Sequence, residues 1–143
     1  MPTRTARTTW SGSLQEGTGT VVLVSSGVGT YEVSFPKRAA DDAGGATSPE
    51  ELIAAAHSAC FAMQFSALLG GAGGSNPQLE VSADVTLGPD PAGGFRISGI
   101  KLSVSGSADG VTPEDFARIA AEAKAACPVS KALAGTEIVL DVK

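Results

Sequence analysis

The sequence predicts an α+β fold in the order βββαββαβ, with antiparallel sheets packed around a long central apolar helix. Period-two runs of β-branched and aromatic residues sit at the start, in the middle and at the end of the chain. Two longer segments open with a Ser or Thr followed by Pro, the grammar of a helix start. Clusters of Gly, Pro, Asn and Asp separate these blocks and serve as turns.

The first block, "TARTTWSG" and "GTVVLVSSGVGTYEVSF", supplies about three strands up to Phe35, with Ser26 to Gly29 as a hairpin turn. The central helix begins at Ser48 as cap, with Pro49 in the first helical position and Glu51 at the capping-box spacing. It runs through "LIAAAHSACFAMQFSALL" and ends in the glycine-rich turn "GGAGGSN". Two long strands follow, joined through "GPDPAGG". A second helix, "TPEDFARIAAEAKAA", repeats the cap grammar with Thr112, Pro113 and Asp115, and "TEIVLDV" closes the chain as a sixth strand.

The 143 residues and 43% hydrophobic content suit a single domain, residues 1–143, with its own core. The net charge is -5 and the ten basic residues are scattered, which gives no footprint for a phosphate backbone, so nucleic acid is not an expected partner. "MPTRTARTTWSG" has basic residues without an apolar run behind them, so a cytoplasmic location is expected rather than secretion. The central helix is long enough to raise the question of a membrane span. His57, Ser58, Gln64 and Ser66 interrupt it and Ala supplies most of its bulk, so a core helix is expected and membrane association is not.

Cys60 lies within that helix and Cys127 precedes a proline in "AACPVSKALAG". A lone cysteine usually behaves as a small buried hydrophobe, and a permanent disulfide is not expected in a reducing cytoplasm. His57 and Cys60 share a helical face at i and i+3, but Cys127 would be only a third ligand and there is no second histidine, so no metal is expected. His57 is then a core group or the support of a neighbour.

A reactive cysteine must be a thiolate near neutral pH, a state that cations or helix N-termini favour. Pro128 disfavours helix at Cys127, and "PVSKALAG" reads as a short helix that places Cys127 at its cap. Cys60 is surrounded by Ala, Phe and Met, so it reacts only if the fold delivers a cation, for which Arg38 at the end of the third strand is a candidate. Residue chemistry alone does not rank the two thiols.

"SPEELIAAAHSACF" and "ACPVSKAL" resemble the two signature blocks of the OsmC/Ohr family of osmotically inducible and organic-hydroperoxide-resistance thiol peroxidases. The resemblance covers nearly the whole chain and is to the OsmC branch, in which a histidine precedes the first cysteine by three residues, as His57 does. It implies that Cys60 is the peroxidatic thiolate, Cys127 the resolving thiol, Arg38 the cation that activates Cys60, and Glu50 the carboxylate that orients Arg38. Lys37 is the competing cation, and Glu51 is left as the capping-box residue. The chemistry implied needs no metal, flavin or haem: an organic hydroperoxide oxidises Cys60 to a sulfenic acid, Cys127 closes a disulfide, and an external dithiol such as a dihydrolipoyl group reopens it.

Glu50 and Cys60 are about 15 Å apart along a straight helix and on different faces. If the family's site uses both, Glu50 comes from a second copy, which implies an interwound homodimer. Two rival readings keep the cysteines inert: a binding module for a small apolar ligand, and a purely structural dimer.

Overall fold

A computed structural model describes residues 1–143, which form two compact units, Met1–Pro49 and Glu50–Lys143. In the first unit, β1 (Arg7–Ser11), β2 (Thr18–Val22) and β3 (Thr30–Val33) make an antiparallel sheet in sequential order. Few of its side chains are buried, Val21 and Ala46 among them, while Trp10 and Tyr31 stay exposed.

The third strand ends two residues before Phe35, and Arg38 is not at a strand end as expected. It lies on a one-turn helix, α1 (Phe35–Ala39). Ser34 caps that turn, its hydroxyl accepting from Lys37 N–H at 3.4 Å, and Pro36 sits in the first helical positions. "SFPKR" therefore carries the same start grammar as the two longer helices, in a segment whose preceding alternation reads as strand.

The second unit contains α2 (Pro49–Gly71), β4 (Ser75–Pro89), β5 (Phe95–Asp109), α3 (Pro113–Ala126), α4 (Pro128–Ala132) and β6 (Ile138–Val142). Strands β4 and β5 pair antiparallel, but β6 runs parallel to β5 on its other side, an exception to the antiparallel sheets expected. The reason is connectivity: β5 and β6 are joined through α3 and α4, and a helical crossover returns the chain in the same direction. A register shift between Thr86 and Leu87 leaves Ser98 unmatched and reverses the phase of β5. Beyond that bulge Ile100, Leu102 and Val104 all face inward.

The core is built by three elements. Phe61, Phe65 and Leu69 of α2, Leu102 and Val104 of β5, and Phe116, Ile119, Ala120 and Ala123 of α3 form one buried cluster that also contains Cys127. His57, Phe61, Phe65 and Leu69 are spaced four apart, so α2 buries a single ridge. By length and composition α2 could cross a membrane, but this ridge seats it against β5 and α3 as a core helix. Its opposite ridge, Ala55, Ala59, Met63 and Ala67, is exposed, with Met63 at 72%.

Candidate active site

Two elements of the second unit bring the thiols together. Cys60 sits on α2 one residue before Phe61, so the ridge that enters the core also turns its sulfur inward. Cys127 occupies the corner where α3 ends and α4 begins, its N–H bonded to Ala123 O at 2.8 Å and its carbonyl accepting from Lys131 N–H at 3.0 Å. Pro128 forces this corner, because it cannot continue α3 yet suits the first position of α4. The two sulfurs share a hydrogen bond at 3.2 Å, and both cysteines are free thiols.

The surroundings of the two sulfurs differ. Burial raises the Cys60 pKa most; the Val129 N–H opposes it, and the hydrogen bond and charge of Cys127 raise it further. Burial also acts to raise Cys127, but it is outweighed by the Ser130 N–H, the Cys60 thiol, the Ser130 hydroxyl and the Val129 N–H, and its pKa is lowered. Cys127 closes no formal capping hydrogen bond, yet these donors lie near enough to its sulfur to favour the charged form. Within residues 50–143, therefore, the surroundings favour charge on Cys127 more than on Cys60.

His57 is completely buried one helical turn before Cys60, and its Nε2 lies 2.7 Å from Ser130 Oγ. Its Nδ1 has no hydrogen-bond partner, and burial lowers its pKa, which keeps the imidazole neutral. The sequence reading of His57 as a core group or a neighbour's support holds, and Ser130 is the residue that reading missed.

Of the other residues expected at the site, Glu50 shares α2 with Cys60 and Arg38 belongs to the first unit. Glu50 is buried in the first turn of α2, which runs without a break from Pro49 to Gly71, so the separation from Cys60 of about 15 Å stands. Arg38 is half-buried on α1 in the first unit. Lys37, the competing cation, is engaged with Glu32 at 2.8 Å.

The chain is 40% identical over 132 residues to the protein named peroxiredoxin OsmC of Escherichia coli, covering 92% of this chain and 90% of that one. It is 36% identical over 101 residues to the organic hydroperoxide resistance protein OhrA of Bacillus subtilis, covering 68% and 67%. Among solved structures, an organic hydroperoxide resistance protein from Elizabethkingia anophelis superposes with a TM-score of 0.77 at 31% identity, over 100% of this chain and 96% of that one. The family described as OsmC-like protein matches residues 41–143, the stretch that holds both thiols, the unbroken helix and the Pro128 corner, and the chain belongs to that family.

Proposed function

We propose that this chain is a thiol-dependent peroxidase that reduces organic hydroperoxides, alkyl or fatty-acid, to alcohols in oxidative and osmotic stress defence. One observation carries the reading: two free thiols on separate elements with sulfurs 3.2 Å apart, about 1.2 Å beyond an S–S bond of about 2.0 Å. A small side-chain rotation closes that gap, so the pair can cycle between dithiol and disulfide.

In the proposed cycle Cys60 thiolate attacks the peroxide, forming an S–O bond as the O–O bond breaks. The alkoxide takes a proton from solvent and leaves as the alcohol, and Cys60 is left as a sulfenic acid. Cys127 loses its proton and attacks Cys60 sulfur; the S–S bond forms, hydroxide leaves and that proton makes it water. An external dithiol, for which a dihydrolipoyl group is the expected class, is then oxidised as the disulfide is reduced. No metal or organic cofactor is needed.

Cys60 requires a cation to ionise, because its neighbours in residues 50–143 favour the thiol. Arg38 is assigned that role and Glu50 that of holding its guanidinium. The functional unit is a homodimer of OsmC-like domains, each spanning residues 1–143, in the cytoplasm. The exposed apolar ridge of α2 and the distance of Glu50 from Cys60 on one helix support it.

The experiment is iodoacetamide labelling across pH, with mass spectrometry before and after one equivalent of cumene hydroperoxide. Fast labelling of Cys60 near neutral pH and a Cys60–Cys127 bridge after peroxide are expected. Equal, slow labelling of both thiols with no bridge would return the chain to a binding module with inert cysteines.

A further inference from the structure

We propose that His57 and Ser130 are positioning residues for disulfide closure: they hold the Ser130 hydroxyl proton against the Cys127 sulfur, so that Cys127 attacks as a thiolate. The inference rests on the resolving role given to Cys127 above and adds two residues to it.

The argument is a count of protons. A serine hydroxyl has one proton to donate. At 2.7 Å, His57 Nε2 and Ser130 Oγ are hydrogen-bonded, and one of them donates. If Ser130 donated, its proton would be committed to His57, and the imidazole would carry its own proton on Nδ1, which is buried with no partner. A buried unpaired N–H is among the rarest orphans in folded proteins, whereas an unpaired acceptor lone pair is better tolerated. His57 therefore donates from Nε2 and leaves Nδ1 as a bare lone pair. Ser130 accepts that bond, and its own proton is left for the sulfur of Cys127, the cap residue of the same short helix.

The order of donation is His57 Nε2–H to Ser130 Oγ, then Ser130 Oγ–H to Cys127 Sγ. Complete burial of His57 fixes the ring, and Ser130 is itself buried at 7% exposure, so the hydroxyl has little freedom to turn away. Cys60 of α2 is the titratable group in contact with Cys127, and His57 of the same helix reaches Ser130. The helices that meet at Cys127 carry Lys124 and Lys131 in their last turns. No atom is transferred through the relay; it fixes where a proton sits before the S–S bond forms.

The test uses full-length Ser130→Ala, Ser130→Thr, His57→Leu and His57→Gln. Reduced protein is mixed with one equivalent of cumene hydroperoxide, quenched with acid or dimedone, and resolved by mass spectrometry into sulfenic acid and disulfide. Ser130→Ala and His57→Leu should slow closure about tenfold relative to sulfenic acid formation, the scale of one hydrogen bond. The pH midpoint of closure should move upward. Ser130→Thr and His57→Gln, which keep the hydroxyl and a donor at the Nε2 position, should restore both rate and midpoint. A closure midpoint unmoved by Ser130→Ala, or Ser130→Thr as slow as Ser130→Ala, would overturn the proposal.

A second arm needs no peroxide. In a Cys60→Ser background, iodoacetamide should label Cys127 more slowly at pH 7 when Ser130→Ala is added, and equal labelling would count against the relay. If wild-type protein formed no sulfenic acid at all, the peroxidase reading would fail, while this labelling arm would still decide the role of Ser130.

Discussion

The Cys60 sulfur on α2 and the Cys127 sulfur at the α3–α4 corner stand 3.2 Å apart as free thiols, and the backbone and hydroxyl donors of α4 favour charge on Cys127. Each thiol thus shifts the ionisation of the other, within limits set by burial.

The first prediction concerns their roles. Cys60→Ser should abolish peroxide consumption. Cys127→Ser should complete one turnover and leave a sulfenic acid trappable by dimedone. A Cys60→Ser protein that still consumed one equivalent, with Cys127→Ser inert, would exchange the two assignments.

Mutual titration gives a second, independent check. Cys127 raises the Cys60 pKa by hydrogen bonding and charge, so Cys127→Ser should lower it and speed Cys60 labelling at pH 7. In the other direction the Cys60 thiol lowers the Cys127 pKa by hydrogen bonding, so Cys60→Ala, which removes the donor, should raise it. Iodoacetamide rates against pH on the two single variants would read opposite shifts; shifts of the same sign would contradict this coupling.

Arg38 and Lys37 are neighbours on α1, and the activating role is proposed for Arg38. Arg38→Ala should slow hydroperoxide reduction about a hundredfold, as loss of one charge-stabilising donor commonly does. Lys37→Ala should change it less than about threefold, the scale of an exposed ion pair. Stopped-flow peroxide consumption measures both, and the reverse ranking would transfer the role to Lys37.

Buried neutral His57 makes stability pH-dependent. Its pKa in the folded chain is lowered by burial, so as pH falls the unfolded chain takes up the proton first. The stability it contributes is present above about pH 6.5, the ordinary value, and is lost as pH falls below it. Urea midpoints should therefore drop between pH 7 and pH 5, and His57→Gln should flatten that drop. A wild-type midpoint constant over this range would show that His57 takes up a proton as readily in the fold as in the unfolded chain.

The fold was legible where local chemistry and pattern agree. Ser48–Pro49, Thr112–Pro113 and the alternation of β4 announce their elements without help from the rest of the chain. Other features were not, for physical reasons. The parallel docking of β6 is a choice of sheet edge that "TEIVLDV" does not encode, and the bulge at Ser98 depends on the partner strand. Of the candidate site, residue chemistry found both thiols and the cap setting of Cys127, and the family resemblance assigned their roles. The His57–Ser130 contact joins residues 73 positions apart, and nothing in either local sequence pairs them.

The last prediction is quaternary. Along α2 one ridge, His57, Phe61, Phe65 and Leu69, enters the core, and the opposite ridge, Ala55, Ala59, Met63 and Ala67, faces outward. An apolar row of this kind along an unbroken helix needs cover, and a two-fold axis would lay each copy's row against the other's. Glu50 stands about 15 Å from Cys60 on its own helix, so a site that uses both takes them from different chains. Met63→Asp should then weaken association, read by analytical ultracentrifugation, and lower activity in parallel. The decisive measurement is complementation: Cys60→Ser and Glu50→Ala chains, each inactive alone, are co-expressed with different tags and the heterodimer is purified. One of its two sites would contain both defects and the other neither, so about half of wild-type activity should return. If Glu50 served the Cys60 of its own chain, both sites of the heterodimer would carry a defect and the purified species would stay inactive.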